Sequence, residues 1–227
     1  IMTSDEKKEG AWGGLHICGY AHTNNSGNTV SEIGNAPYGG NNDEDNSGIL
    51  RYVRLEYTGK ALDEEHEANG VSFYGAGNGT TVEYLQAYKG SDDGFEFFGG
   101  SVNVKHMVVT SCSDDSFDWT EGWNGKAQFL VAYQENKESL GYDCDCLMEC
   151  DNNGNNFGAS PVAHPVIANA TLIGNGGSKQ GVRLRAGTQV ELYNTLITGK
   201  DKPLTVETAE TENALVNGDS KLEYVAL

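Results

Sequence analysis

The sequence contains a set of aspartates that recur along the middle of the chain. They stand in short polar runs, and they are Asp92, Asp93, Asp114, Asp115, Asp118 and Asp145. Clustered carboxylates suit calcium, because this ion takes roughly six to eight oxygen ligands in flexible geometry. The recurrence predicts that these aspartates meet at one place and bind Ca²⁺. The alternative is that they are hydrated turn residues that only keep the surface soluble.

A second set of residues combines acids with arginines. It consists of Glu96, Asp118, Glu149, Arg183 and Arg185. Paired carboxylates can hydrolyse a glycosidic bond, and a cation held by acids beside an arginine base can cleave a uronic acid polymer by elimination. Both catalytic hypotheses stand beside a simpler interpretation, in which the two arginines neutralise Glu149 and Asp151.

Internal repeats indicate which elements position these residues. The segments 70–75, 94–99, 116–121, 147–152 and 181–186 share one shape, and Gly70, Gly94 and Ser116 lie 24 and then 22 residues apart. Between them lie β-rich runs that end in polar turns, at 49–57, 81–88, 102–110, 127–133, 166–173 and 190–198. Self-similarity at this period is typical of a solenoid. We predict one all-β domain over 1–227, a single-stranded right-handed parallel β-helix with little or no α-helix and with insertions at about 134–146 and 152–164.

Strand alternation assigns the faces of the repeat, because successive side chains point in opposite directions. The inward pairs are Val71/Phe73, Phe95/Phe97, Phe117/Trp119, Met148/Cys150 and Val182/Leu184. The outward positions place Glu96, Asp118 and Glu149 in one line, with one coil every ~4.8 Å. Four aromatic residues are predicted to be exposed and to stack on sugar rings, with packing under the inserted loops as the alternative; they are Tyr74, Phe98, Trp123 and Tyr142.

Charge and composition exclude several functions. The formal net charge of −18 repels nucleic acid phosphates and anionic lipids. No apolar run is long enough to span a membrane. The five histidines lack the spacing of a metal site, so each is expected to be an ordinary surface or core residue. They are His16, His22, His66, His106 and His164.

The five cysteines match neither a zinc pattern nor a redox motif. They are Cys18, Cys112, Cys144, Cys146 and Cys150. Cys112 and Cys144 fall at nearly equivalent points of neighbouring coils. A disulfide between them in an oxidising compartment and two buried free thiols are equal alternatives.

Three segments resemble a family of secreted bacterial β-helix lipoproteins. They are Gly10-Ala-Trp-Gly-Gly-Leu-His-Ile-Cys-Gly19, Leu50-Arg-Tyr-Val-Arg-Leu-Glu-Tyr-Thr-Gly59 and Ser91-Asp-Asp-Gly-Phe-Glu-Phe-Phe-Gly-Gly100. The resemblance runs from about Gly10 to Lys200, and it implies a location outside the cell or at the bacterial surface. It also implies coils upstream of residue 1. Residues 1–4 are then expected to form a strand at an open solenoid end, through which molecules can associate.

These observations together predict a surface β-helix without catalytic activity. Its acidic strip is expected to bind calcium and to face a carbohydrate, with a polysaccharide or a cell-surface glycan as partner. One alternative is a polysaccharide lyase or glycoside hydrolase acting on a surface polymer. Another is a structural stalk or adhesin module.

Overall fold

A computed structural model describes residues 1–27, 29–63 and 66–227. Strands of three to five residues form one parallel sheet, the short-strand sheet. They are β1 (Leu15–Cys18), β3 (Val71–Tyr74), β5 (Phe95–Phe98), β7 (Phe117–Thr120), β9 (Met148–Cys150), β11 (Gln180–Leu184) and β13 (Lys202–Val206). Each strand pairs with the next in this order, so the sheet grows by one strand per coil.

Strands of six to eight residues form a second parallel sheet, the long-strand sheet. They are β2 (Ile49–Glu56), β4 (Thr81–Tyr88), β6 (Val104–Thr110), β8 (Lys126–Tyr133), β10 (Val166–Ile173), β12 (Glu191–Thr198) and β14 (Lys221–Ala226). Consecutive strands of the chain lie in opposite sheets, and each coil contributes one strand to each. The predicted parallel β-helix is therefore confirmed, with two strands per coil.

Aromatic side chains stacked between the two sheets form much of the core. Phe73 stacks on Phe97 with ring centroids 5.1 Å apart, and Phe95 stacks on Phe117 at 5.9 Å. Each of the ten side chains predicted to point inward is buried. A coil alone could not remove such side chains from water, so each coil depends on its neighbours for stability.

Insertions between the strands carry the irregular structure. Residues 19–48 connect the first two strands, and residues 134–147 and 151–165 form later connections. The 134–147 connection contains helix α1 (Lys137–Leu140). Helix α2 (Ala209–Asn217) lies in the last coil, between β13 and β14. The repeat pattern did not predict this last coil, because its short strand β13 has neither glycine nor aromatic residues.

The first residues contact the edge of the long-strand sheet. Of the predicted strand at 1–4, only Met2 forms a β-bridge. Its N–H donates to the carbonyl of Arg54 at 2.8 Å, and its carbonyl accepts from the N–H of Glu56 at 3.0 Å. The segment therefore extends the sheet by a single bridge.

We expect Phe117→Ala to lower the free energy of unfolding by about 3–5 kcal/mol, because it leaves a cavity in a fully packed stack. Urea unfolding followed by circular dichroism measures this change. The control is Tyr20→Ala, which removes a side chain that is 68% exposed and is expected to change stability by less than about 0.5 kcal/mol. Equal losses in the two variants would contradict the stacked core.

Candidate functional site

The turns that precede the short strands bring the aspartates together. The N–H of Asp115 donates to Asp93 Oδ1 at 2.9 Å, and the N–H of Cys146 donates to Asp115 Oδ1 at 2.6 Å. The N–H of Asp145 donates to the carbonyl of Asp114 at 3.2 Å. Equivalent acidic turns therefore stack on one another in three successive coils.

The outward column of the short-strand sheet lies beside these turns. Glu96 pairs in register with Asp118, Asp118 with Glu149, and Glu149 with Arg183. The prediction that Glu96 and Asp118 occupy adjacent parallel strands is confirmed. Because the register is strictly parallel, the three acids Glu96, Asp118 and Glu149 follow one another at single coil repeats.

The turns and the column line one cleft of about 360 Å³, which we call the acidic cleft. Ten carboxylates and one guanidinium line it. The lining residues are Glu32, Glu67, Asp92, Asp93, Glu96, Asp114, Asp115, Asp118, Asp145, Glu149 and Arg183. All six aspartates predicted to bind metal are among them. Of the predicted catalytic residues, only Arg185 is not.

Oxygen atoms in the acidic cleft lie close enough to share an ion. Ligand atoms of Asp93, Glu96 and Asp118 lie within 4.8 Å of one another, as do those of Asp115, Asp118 and Glu149. Asp118 belongs to both groups, and its Oδ1 atom is buried without a hydrogen-bond partner among the described residues. These all-oxygen groups fit the donor set that calcium takes.

Burial and mutual repulsion raise the pKa values of these acids. Burial, followed by the charge of Asp114, raises the pKa of Asp92 to about 7. Burial, followed by the charge of Asp145, raises the pKa of Asp114 to about 6. The pKa of Asp118 is raised well above its usual range by burial and by the charge of Glu96. In the metal-free protein, protons therefore relieve repulsion that a cation would otherwise relieve.

Ion pairs close the cleft at its C-terminal end. Arg183 contacts Glu149 at 2.9 Å and Glu207 at 3.0 Å. Arg185 contacts Glu149 at 2.6 Å and Asp151 at 2.7 Å. The hydrogen bond to Glu207, with further contributions from Glu149, raises the pKa of Arg183. Both guanidinium groups are thus held in the charged form by carboxylates.

The predicted carbohydrate-binding aromatics are not exposed. Tyr74 is 1% exposed, Phe98 is 7% exposed and Trp123 is 1% exposed. Trp123 belongs to the core, where its ring stacks on Phe97 at 4.1 Å. Tyr142 is half-buried, and its hydroxyl donates to the carbonyl of Ser111 at 2.7 Å. The exposure predicted for Tyr74, Phe98 and Trp123 is therefore wrong, and the burial of Tyr74 and Phe98 agrees with the alternative that they pack under an inserted loop.

The insertion at 19–48 is the physical reason for this burial. Its Tyr38 ring lies 5.0 Å from the Tyr74 ring, and Tyr74 stacks on Phe98 at 4.3 Å. The Tyr38 hydroxyl donates to Glu121 Oε2 at 2.8 Å. The insertion thus covers the ends of the short strands, and it removes these aromatic rings from water.

The same insertion supplies a cleft residue that the repeats did not reveal. Glu32 lies in it and lines the acidic cleft, and burial raises the pKa of Glu32 to about 7. Glu67, which precedes β3, also lines the acidic cleft. The side-chain amide of Asn69 donates a hydrogen bond to Glu96 Oε2. Lys179 pairs with Asp145 at the cleft margin. These residues lie outside the repeated segments, so no periodic signal identifies them.

All five cysteines are free, in agreement with the buried-thiol alternative. Cys112 and Cys144 are buried, and this burial raises the pKa of each thiol to about 12. Both thiols are therefore protonated at neutral pH and are poor nucleophiles. Among the described residues, no histidine joins a group able to hold a metal.

We expect the unfolding free energy of the metal-free protein to fall by about 1–3 kcal/mol between about pH 5 and pH 8. The pKa values of Asp92 and Asp114 are raised in the folded state above their usual value of 3.8. The folded state therefore binds protons more tightly, and this stability is lost as the pH rises through the folded-state values.

Urea unfolding in chelator across this pH range measures the effect. Asp92→Asn should flatten the dependence, whereas Asp219→Asn, at an exposed position, should leave it unchanged. Stability that stays constant or rises towards pH 8 would contradict the coupling of these acids.

Comparison with known proteins identifies the family. The chain matches the pectate-lyase-like β-helix domain over residues 1–227. No curated protein and no solved structure matches it. No helix in the described part of the chain has the length and apolar character needed to cross a membrane. With its whole length matched, the chain belongs to the pectate-lyase-like β-helix family.

Proposed function

We propose that the acidic cleft binds calcium and, through it, an acidic polysaccharide that it does not cleave. One observation carries this proposal. Carboxylate atoms of Asp93, Glu96 and Asp118 lie within 4.8 Å of one another, and a buried oxygen of Asp118 has no hydrogen-bond partner in the part of the chain that the structure describes. A buried acceptor without a donor costs free energy, which a bound cation would recover.

The donor chemistry favours calcium over other cations. Asp118 can be shared by two oxygen-only groups, with Asp93 and Glu96 on one side and Asp115 and Glu149 on the other. Calcium accepts such crowded carboxylates in flexible geometry, whereas magnesium demands octahedral geometry and gives up water reluctantly. When bound, calcium would supply positive charge in a cleft whose only lining cation in the described chain is Arg183.

Charge also argues for an acidic polymer as the partner. The metal-free cleft repels anions, but a calcium ion held by three carboxylates has coordination positions left for further oxygens. The carboxylates of a uronic acid polymer can fill them. The family is described as pectate-lyase-like, which supports a polysaccharide of this class.

Two observations favour binding over catalysis. Elimination needs a base, and carboxylates hold both Arg183 and Arg185 in the protonated form. Hydrolysis needs one ionised and one protonated carboxyl group, set by environments that move their pKa values apart. Burial and neighbouring acids instead raise the pKa values of Glu96 and Asp118 in the same direction.

A location outside the cell agrees with this function. Calcium sites with dissociation constants of about 10⁻⁴–10⁻³ M are used by extracellular modules. We propose that the protein acts there or at the cell surface, where both calcium and polysaccharides are present. The role of a structural stalk remains the alternative, and it requires no ion in the acidic cleft.

We expect calcium to raise the melting temperature and chelator to lower it. At a hundredfold excess over Kd, binding to the folded form alone adds about 2.7 kcal/mol of stability. Differential scanning calorimetry in calcium, magnesium and chelator measures the change. Magnesium should stabilise less.

Asp118→Asn tests the site with a neutral side chain of the same shape. It should remove most of the calcium effect and should raise the melting temperature in chelator at pH 8, because it relieves repulsion. Asp115→Ala should also remove most of the calcium effect, and Asp219→Asn is the exposed control. Identical melting curves in calcium and chelator would disprove the proposed ion site.

We expect polygalacturonate to bind in calcium and to dissociate in chelator, with binding weakened at least about tenfold by Asp118→Asn. Isothermal titration calorimetry measures this, and fully methyl-esterified polygalacturonate is the matched neutral control. Ultraviolet absorbance of unsaturated uronate should not increase during incubation. An increase in this absorbance would show that the protein cleaves the polymer by elimination, which would contradict binding without cleavage. Equal binding of the esterified polymer would contradict recognition through calcium.

A further inference from the structure

A column of outward side chains runs along the long-strand sheet, on the side of the molecule opposite the acidic cleft. Each strand of this sheet has one residue in left-handed conformation at the same register position, with φ between 48° and 61°. The residues are Tyr52, Tyr84, His106, Phe129, Asn169, Asn194 and Tyr224. We call this column the outer ladder.

The first four rings of the outer ladder stack face to face. Ring centroids are 4.8 Å apart for Tyr52 and Tyr84, 4.4 Å for Tyr84 and His106, and 4.8 Å for His106 and Phe129. Their planes differ by 15° or less. Both faces of the Tyr84 and His106 rings are therefore covered, whereas Tyr52 and Phe129 are covered by a ladder neighbour on one face only.

Two asparagines interrupt the ladder between Phe129 and Tyr224. Asn169 and Asn194 occupy these two positions, and their side chains are shorter than the rings on either side. Phe129 is 42% exposed and Tyr224 is 85% exposed, and neither has an aromatic neighbour in the ladder on the side facing the gap. Each strand contributes one position, or rung, to the ladder, and successive rungs lie ~4.8 Å apart. The gap is two rungs wide, so Phe129 and Tyr224 lie three repeats apart, which is about 14 Å.

A recess of about 400 Å³ lies at this gap. Aromatic rings form its two ends, the side chains of Thr171 and Leu196 line it, and the asparagine amides lie at its base. Asn194 makes no side-chain hydrogen bond within the described chain, whereas Asn169 accepts from Gln128 at 3.2 Å. Within the part of the chain that the structure describes, no charged residue lines this recess.

We propose that the recess binds a ring of a neutral oligosaccharide. A pyranose ring has apolar faces and a rim of hydroxyl groups. One of its faces matches the ring face of Phe129 or that of Tyr224, and its hydroxyls match the amide of Asn194 and the hydroxyl of Thr171. The absence of charge in the recess selects against the acidic polymer that the acidic cleft would bind. This site is separate from the proposed calcium site, and it does not depend on it.

The orientation of the ladder fixes how such a ring enters. A bound ring must lie parallel to the ring of Phe129 or to that of Tyr224 in order to stack on it. The rungs follow one another along the solenoid axis, so the inserted ring lies across this axis. The glycan chain then leaves the recess along the strand direction, across the long-strand sheet.

Filling the gap is the sharpest test. Asn194→Phe places a ring at a register position where three other strands of the same sheet already carry aromatic residues at similar φ, namely Tyr52, Tyr84 and Phe129. The variant should therefore fold with an unchanged melting temperature while its recess is blocked. Asn194→Ala leaves the recess open, and Tyr224→Ala removes one of its aromatic ends.

Binding is measured in chelator, with cellohexaose, mannohexaose and laminarihexaose as probes and saturation-transfer difference NMR as the readout. We expect at least one probe to bind and Asn194→Phe to weaken that binding at least about tenfold. Tyr224→Ala should weaken binding, and Asn194→Ala should weaken it less than Asn194→Phe does. Asp118→Asn should have no effect, which separates this site from the acidic cleft.

Any of four results would overturn the proposal. The first is that none of the three probes binds, and the second is equal binding by the wild type and Asn194→Phe. The third is binding of an aromatic probe, p-nitrophenol, with none of the sugars, which would make the recess an aromatic-ligand site. Loss of sugar binding in Asp118→Asn would assign the sugar to the acidic cleft and would equally contradict the proposal.

Discussion

The structure depends on strict parallel register between successive coils, which places like residues over like residues at a repeat of ~4.8 Å. In the core this is favourable. Phe95 lies over Phe117 and Phe73 over Phe97, so that each ring covers the face of the next. On the outside the same register is costly wherever the repeated residue is charged, as it is for Glu96 and Asp118. One geometric rule thus produces both the stability of the solenoid and the electrostatic problem of its surface.

The chain relieves this repulsion differently at the two ends of the acidic column. At the C-terminal end, Arg183 and Arg185 neutralise Glu149 by direct ion pairs. In the middle, the carboxylates of Glu96 and Asp118 have no such partner in the described chain, and their pKa values rise. Protons or cations must balance this charge. The proposed calcium site lies at Glu96 and Asp118, beyond the carboxylates that Arg183 and Arg185 neutralise.

The two sheets present surfaces of opposite chemistry. The short-strand sheet faces the acidic cleft, where charge dominates and apolar area is small. The long-strand sheet carries the outer ladder, with exposed side chains such as Tyr52 and Phe129. An acidic ligand bridged by cations suits the first surface, and a neutral ring suits the second.

The sequence by itself determined the repeat, the parallel register and the line of Glu96, Asp118, Glu149 and Arg183, because these follow from strand alternation and coil length. Only the tertiary structure decided what the insertions do. The 19–48 insertion buries Tyr74 and Phe98 and brings Glu32 to the acidic cleft, through contacts between residues far apart in sequence that leave no periodic signal. The outer ladder also required the structure, since a left-handed residue within a strand breaks the alternation from which the faces were assigned.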